Sequence, residues 1–294
     1  MEMANLTSFF IGQKWEVRVS DEDIQLPEWI AESGKRALNK WQQVFPKEKS
    51  WIQKEFGIPS FIVRVEGVPV GDRFHFFEIE ERPAGVGFTS MHSPSFAQNL
   101  EKLTSVWPHF KVLVSDARQG AGDDYLWREI VTPQQVHDSD LLIIRAEPEE
   151  TEFHRFANRS VSSLVEKGNK IYGEKFGWWK KVSSEHELPW ETPFVIKPCQ
   201  GSKARGLEIW DPIKKRKGCS TKSRIIKTLS KAGKMYCQPL ADPLTHEDGM
   251  MFYRIFYGFD PRSSEWVCLG GCYNVRPNLR IHGASDAFFG ALVY

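Results

Sequence analysis

The sequence predicts a mixed α+β fold, and three observations carry that prediction. Apolar residues recur at near-helical spacing over residues 22–56, apolar strand-like runs come in pairs closed by glycine-bearing loops, and a helix-and-strand alternation occupies residues 93–150.

Taken in order, Leu26, Trp29, Ile30, Ala37, Leu38, Trp41 and Val44 mark two helical patterns, which Gly57-Ile58-Pro59 ends. Phe61–Glu66 reads as a strand, residues 67–72 as a turn and Phe74–Glu80 as the returning strand of a hairpin. A helix over Phe96–Val106 leads to a strand at Phe110–Val114; a loop and a helical stretch follow, then a second strand at Asp140–Arg145, which makes a small β-α-β segment. Residues 153–185 read as helical. Phe194–Pro198 and Gly206–Trp210 form a second strand pair across a Gly/Ser loop. Three further runs, Met235–Leu240, Met251–Tyr257 and Trp266–Tyr273, read as strands.

At 294 residues the chain is long enough for one large domain or two modest ones, and it needs no disulfides to bury a core. Lys and Arg number 39 against 38 Asp and Glu, a balance that argues against a polybasic nucleic-acid binder. The basic run from Lys214 to Lys231 has no interleaved aromatics, so a solvated face outweighs a nucleic-acid patch there. No apolar run reaches the ~18 residues of a membrane span, and Met1–Trp15 lacks the charge pattern of a signal peptide. Five cysteines with no CxxC pair indicate neither a disulfide framework nor a structural zinc site, which points to a reducing, cytoplasmic setting. Cys268, Cys272 and His282 lack a fourth ligand for a metal. The 11 Trp and 20 Phe fit core packing before they fit a flat-ligand pocket.

Two constellations carry chemistry. In Val195-Ile196-Lys197-Pro198-Cys199-Gln200-Gly201-Ser202-Lys203-Ala204-Arg205-Gly206, a strand delivers a lysine and is followed by a loop whose glycines let backbone N–H groups approach phosphate oxygens. It is neither a Walker A loop nor a dinucleotide fingerprint. In Arg64-Val65-Glu66 and Glu78-Ile79-Glu80-Glu81-Arg82-Pro83, alternate residues share a strand face, so an in-register hairpin gathers three carboxylates and one guanidinium. Such a face is either exposed or neutralised by a cation, and magnesium shared with substrate phosphates is one way to neutralise it.

Phe194 to Gly206 resembles the strand–loop–strand V-x-K-P-x-x-G-S-x-x-x-G of the ATP-grasp superfamily. Arg64-Val65-Glu66 with Glu78-Ile79-Glu80-Glu81-Arg82-Pro83-Ala84-Gly85 resembles that superfamily's closing motif, R-x-D followed by E-x-N-x-R-P-x-G. Here the closing motif comes first. That order resembles the circularly permuted ATP-grasp proteins, among them the synthetase portion of glutathionylspermidine synthase. The resemblance implies an α+β, circularly permuted ATP-grasp fold with a small β-α-β pre-ATP-grasp subdomain. In it, residues 1–92 and 242–294 would build one metal-binding lobe, 93–150 the subdomain and 151–241 the phosphate-binding lobe.

The resemblance further implies an ATP-dependent carboxylate–amine ligase that works through an acyl phosphate with ATP and Mg2+. Lys197, and Lys170 less distinctively, would contact phosphates, and Gly201, Ser202 and Gly206 would form the covering loop. Gln238, Pro239 and Leu240 would hold adenine by backbone groups, Glu66, Glu78 and Glu80 would bind magnesium, and Arg64 would stabilise developing charge. Arg254 and Arg276 are further cationic candidates, or partners of structural carboxylates. The implied partners are a small carboxylate and an amine, with neither nucleic acid nor membrane. Glu66 and Glu80 stand where the pattern has Asp and Asn. The extra charge at Glu80 leaves a second reading open, a non-catalytic module that binds nucleotide or a partner. An unrelated α+β binding protein is the third.

Overall fold

The computed structural model describes residues 6–11, 15–44, 51–58, 60–81, 85–107, 109–115, 130–138, 140–145, 150–161, 179–199, 206–214, 216–242, 244–279 and 287–294, and all counts refer to these. The first part of the chain forms β1 (Leu6–Ile11), β2 (Trp15–Ser20), β3 (Ile24–Gln25), α1 (Glu28–Val44), α2 (Trp51–Phe56), β4 (Ile62–Val70) and β5 (Arg73–Glu80). Next come α3 (Val86–His92), α4 (Pro94–Ser105), β6 (Phe110–Val114), β7 (Ile130–Val131) and β8 (Leu141–Arg145). Then follow β9 (Lys180–Val182), β10 (Phe194–Pro198), β11 (Glu208–Trp210), α5 (Lys222–Ala232) and β12 (Met235–Pro239). The chain closes with β13 (Leu244–His246), β14 (Gly249–Asp260), β15 (Glu265–Arg276) and β16 (Phe288–Val293).

Three sheets result. The largest has nine strands on the path β1-β2-β16-β15-β14-β4-β5, with β13 on β14 and β3 on β16. It therefore joins residues from both ends of the sequence. The long β14–β15 hairpin is its centre, and β4 pairs antiparallel with β14 over Ile62–Gly67. A small, four-stranded antiparallel sheet has the order β11-β10-β12-β9, and β6 lies between β7 and β8 in a three-stranded parallel sheet. The mixed α+β class and the parallel pairing of the two strands expected within 93–150 are both present.

Local sequence explains the elements. Ile30, Ala31, Leu38 and Trp41 of α1 fall on one buried stripe. Ser93 caps α4, accepting from Phe96 N at 3.4 Å, with Pro94 at the first turn. Thr221 caps α5 likewise, and Gly233 ends that helix with φ 71°. Along β14, Arg254, Phe256 and Gly258 face one side of the large sheet and Ile255 and Tyr257 the other. Tyr257 donates to Ala31 O of α1 at 3.1 Å, whereas Phe256 stacks on Phe96 of α4. Helices thus cover both faces, and the large core lies on either side of β14. The small sheet has its own core, in which Ile196 and Met235 meet Ile225 and Leu229 of α5.

Two expectations are corrected. The turn after Glu66 is shorter than residues 67–72, because β4 runs on to Val70 and Gly71-Asp72 alone close the hairpin. Pro69 is tolerated there because β4 bonds to β14 only as far as Gly67, so no partner awaits its missing N–H. Residues 153–185 are not a continuous helix. Thr151–Arg159 is 3-10 helix, residues 162–178 lie outside the described residues, and β9 pairs with Met235–Cys237.

Candidate functional site

The site begins with the register of one hairpin. Arg64 lies opposite Glu80, and Glu66 opposite Glu78, so all four share a face of the large sheet. Arg254 of β14 lies opposite Glu66 and joins them. The Arg64 guanidinium holds Glu66 Oε1 at 2.7 Å and also binds Glu80 Oε2. Arg254 Nε reaches the same Glu66 oxygen at 3.0 Å. Burial alone would push the Glu66 carboxyl up; Arg64, Arg254 and Lys197 outweigh it and hold it below its usual range. Burial likewise opposes the Arg64 charge, and Glu80, Glu66 and Glu78 more than compensate.

A second sheet reaches this face. Just past the Glu66–Glu78 pair the register shifts, with Gly67 opposite Phe76, so β5 carries an extra residue. The carbonyls of Phe76 and Phe77, at that bulge, accept bonds from the small sheet. Lys197 Nζ of β10 donates to Phe77 O at 3.4 Å, and Gln238 Nε2 of β12 donates to Phe76 O at 2.6 Å. Lys197 Nζ also lies 4.0 Å from Glu78 Oε2 and 4.5 Å from the centroid of the Trp179 ring. Burial pulls its pKa down, with Glu78 and Glu66 opposing. The lysine of the Gly/Ser hairpin and the glutamates of the early hairpin, more than a hundred residues apart, therefore face one another.

The other expected residues are placed unevenly. Gly206 lies in a turn with φ +71° and packs against Pro198, a conformation that favours glycine. Lys170, Gly201 and Ser202 lie outside the described residues. The Gln238 side chain is spent on β5, where it also lies 3.3 Å from His75 Nε2. Pro239 has no N–H, and Leu240 gives its own to Pro193 O at 3.1 Å. Backbone donation to a base from those two positions is thus not on offer. Arg276 is buried at the end of β15, on the same face as Arg254. Cys268 and Cys272 are buried thiols, and His282 lies outside the described residues.

Glu66, Glu78 and Glu80, the expected magnesium ligands, share one sheet face but differ in their surroundings. Among the described residues no group of three or more His, Cys, Asp or Glu side chains is gathered to hold a metal. The reason is local: Arg64 and Arg254 take the inner oxygens of Glu66 and Glu80, and Glu66 is almost wholly buried. Glu78 and Glu80 remain partly open, their side chains 27% and 19% exposed. Two partly open carboxylates fit magnesium shared with phosphates of a ligand, and they do not make an all-protein cage.

Sequence reasoning missed four contributors. Trp179 sits under Lys197 and tilts against Tyr236, and neither belongs to a motif. His75 and Asn274 escaped notice because a lone polar residue in an apolar run has no spacing signal. Asn274 is fully buried on the face shared by Arg254 and Arg276, and neither side-chain atom has a hydrogen-bond partner.

No protein-family model matches this sequence, and no curated protein does. Among solved structures, the fold aligns with a candidate gamma-glutamylcysteine synthetase from Methylobacillus flagellatus KT. That alignment covers 90% of this chain and 85% of the other at 11% identity, with a TM-score of 0.46. Function is therefore read from the site's own geometry.

Proposed function

We propose that the protein is an ATP-dependent ligase that joins a carboxylate to an amine through an acyl phosphate. The observation that carries this reading is the meeting of Lys197 with Glu78 across two sheets, beside the Arg64–Glu66–Arg254 network. A buried lysine facing partly open carboxylates suits a nucleotide whose phosphates bring both negative charge and a divalent ion. Glu78 and Glu80 would share Mg2+ with those phosphates, and the ion would neutralise charge during transfer.

The chain's own groups supply the rest. Lys197 neutralises phosphate oxygens and holds them against β5. A carboxylate oxygen of the acid attacks the terminal phosphorus, the bond to the ADP oxygen breaks, and an acyl phosphate forms. The amine nitrogen then attacks the acyl carbon, loses a proton, and phosphate departs. Arg254 and Arg276 stabilise the tetrahedral oxyanion, and Arg64 keeps Glu66 and Glu80 fixed so that neither group reorganises during reaction. The loop around Ser202 would cover the phosphates and exclude water, as the sequence resemblance implies.

One observation favours a second reading. Arg64 already holds Glu80, and that contact suits a module that binds nucleotide without turning it over. Magnesium-dependent ADP and phosphate release, screened over amino acids, peptides and polyamines, decides between them. Release that needs both an acid and an amine supports the ligase. An ATP-induced thermal shift without release under any acid–amine pair supports the module.

A further inference from the structure

We propose that His75 and Gln238 form a proton-operated latch between the large and four-stranded sheets, closed while the imidazole is neutral and opened when it takes up a proton. That the latch governs a nucleotide site rests on the ligase reading. Gln238 of β12 is buried. Its Nε2 donates to Phe76 O of β5 at 2.6 Å, and the same nitrogen lies 3.3 Å from His75 Nε2. A backbone carbonyl only accepts, so the first bond fixes which end of the amide is nitrogen. The second amide hydrogen is left for His75 Nε2, and it bonds there only if that nitrogen offers its lone pair. The closed latch therefore has a neutral imidazole with its proton on Nδ1.

Protonation inverts this arrangement. An imidazolium carries N–H on both nitrogens and accepts nothing, so two donors then face each other. The terminal torsion of a glutamine is soft and roughly two-fold, which lets the amide turn over. Oε1 then accepts from His75 Nε2–H, but it also takes the place of Nε2 before Phe76 O, and two acceptors cannot bond. The turn satisfies the histidine and breaks the bond from β12 to β5.

The surroundings favour the closed form at neutral pH. Lys197 of β10 is the charged group that bears on His75 from the four-stranded sheet, and burial together with Lys197 holds the imidazole below its ordinary 6.5. Tyr236 and Leu240 flank Gln238 on its face of β12, and Val68 lies opposite His75 on β4. On β5 itself, Arg73 is turned to solvent beside Asp72, Phe77 meets the imidazole edge-on at 5.8 Å, and Glu78 lies 4.0 Å from Lys197. Gln238 and Lys197 thus tie adjacent β5 carbonyls to neighbouring strands of the four-stranded sheet. Acid removes the first tie and sets a cation beside the second, which loosens Lys197 from its place against Glu78 and a ligand's phosphates.

The test follows the imidazole and the amide directly, by proton–nitrogen NMR of the isotope-labelled full chain. At pH 7.5 His75 should be the Nδ1–H tautomer. The Gln238 side-chain amide resonances, identified by their loss in Gln238→Met, should shift with the His75 titration between pH 7.5 and 5. They should stay in place in His75→Gln, whose amide oxygen accepts from Gln238 at every pH. Calorimetric binding of ATP with Mg2+ should weaken about fivefold or more over the same range, the worth of one net hydrogen bond, and that ratio should approach one in His75→Gln. An Nε2–H tautomer in the parent at pH 7.5, a measurement that needs no variant, overturns the latch. Gln238 resonances that ignore the His75 titration overturn it too, as does a pH ratio for ATP that His75→Gln leaves intact. Amide turnover coupled to His75 without ATP binding at any pH would sink the nucleotide reading and spare the latch. ATP binding with the Nε2–H tautomer would do the reverse.

Discussion

Burial governs the charged side chains where the large and four-stranded sheets meet. Glu66 is the hub, because two guanidiniums converge on one of its oxygens in a site almost closed to water. Removing one member of such a group leaves the others charged, buried and unmatched. Glu66→Gln is therefore expected to destabilise the protein by about 3 kcal/mol in urea unfolding, within the range for breaking a buried pair. A loss below about 1 kcal/mol would mean that Arg64 is sufficiently neutralised by Glu80 alone. Lys197 behaves differently. Burial disfavours its ammonium, so its charge is kept at a cost to folding. Lys197→Met should leave the melting temperature within a few degrees of the parent. It should also cut magnesium-dependent ADP release by at least about a hundredfold, the scale for losing one preorganised cationic or donor group. Retained turnover would remove Lys197 from the phosphate site.

At the scale of elements, the site depends on the bulge that sets β5 against the small sheet. Gly67 stands at that register shift, and a Cβ there would lie 2.4 Å from His75 O and 2.5 Å from the Phe74 ring. The strand cannot admit a methyl without opening the hairpin. Gly67→Ala should cost roughly 1–3 kcal/mol by overpacking, and ADP release should fall with it, because Phe76, Phe77 and Glu78 move together. Equal stability with normal turnover would show that the bulge tolerates rearrangement. These elements also mark what the sequence reveals. The β4–β5 and β10–β11 hairpins were legible from apolar alternation, and the lysine and glutamates from motif spacing. The N-terminal β1–β2 pair and β16 were not, since their pairing is settled by strands that are remote in sequence. Residues 180–182 read as helix because charged, unalternating Lys180-Lys181 has no strand signal; the ladder to β12 decides its conformation. The place of Trp179 was invisible for the same reason, as its contacts with Lys197 and Tyr236 come from other strands.

At the scale of the whole molecule, near-neutral composition hides a division of charge. Carboxylates of β4 and β5 are matched by Lys197 and Arg254, which arrive from distant parts of the chain. Folding is thereby linked to the ionisation of these groups, and the sign follows from the direction of each shift. Glu66 titrates below its ordinary value of 4.5 in the folded state. Between its folded and unfolded values the unfolded chain binds the extra proton, so its contribution is complete above pH 4.5 and is lost as pH falls through the folded value. His75 and His92 act in the same sense at higher pH. Burial lowers both below the ordinary 6.5, with Lys197 adding to the effect at His75, so each is buried neutral and must be charged on unfolding in acid. The melting temperature should thus be flat from about pH 8 to 7, decline as pH drops below 6.5, and fall more steeply below 4.5. His75 lies 3.3 Å from the Gln238 amide that ties the two sheets together. Its protonation therefore places a second positive charge beside Lys197 at the junction between them. His75→Gln should flatten the decline between pH 6.5 and 5 and leave the steep acid limb in place, whereas an unchanged profile would assign that decline to His92. Differential scanning calorimetry of the parent and the variant, taken at half-unit steps from pH 8 to 4, separates the two.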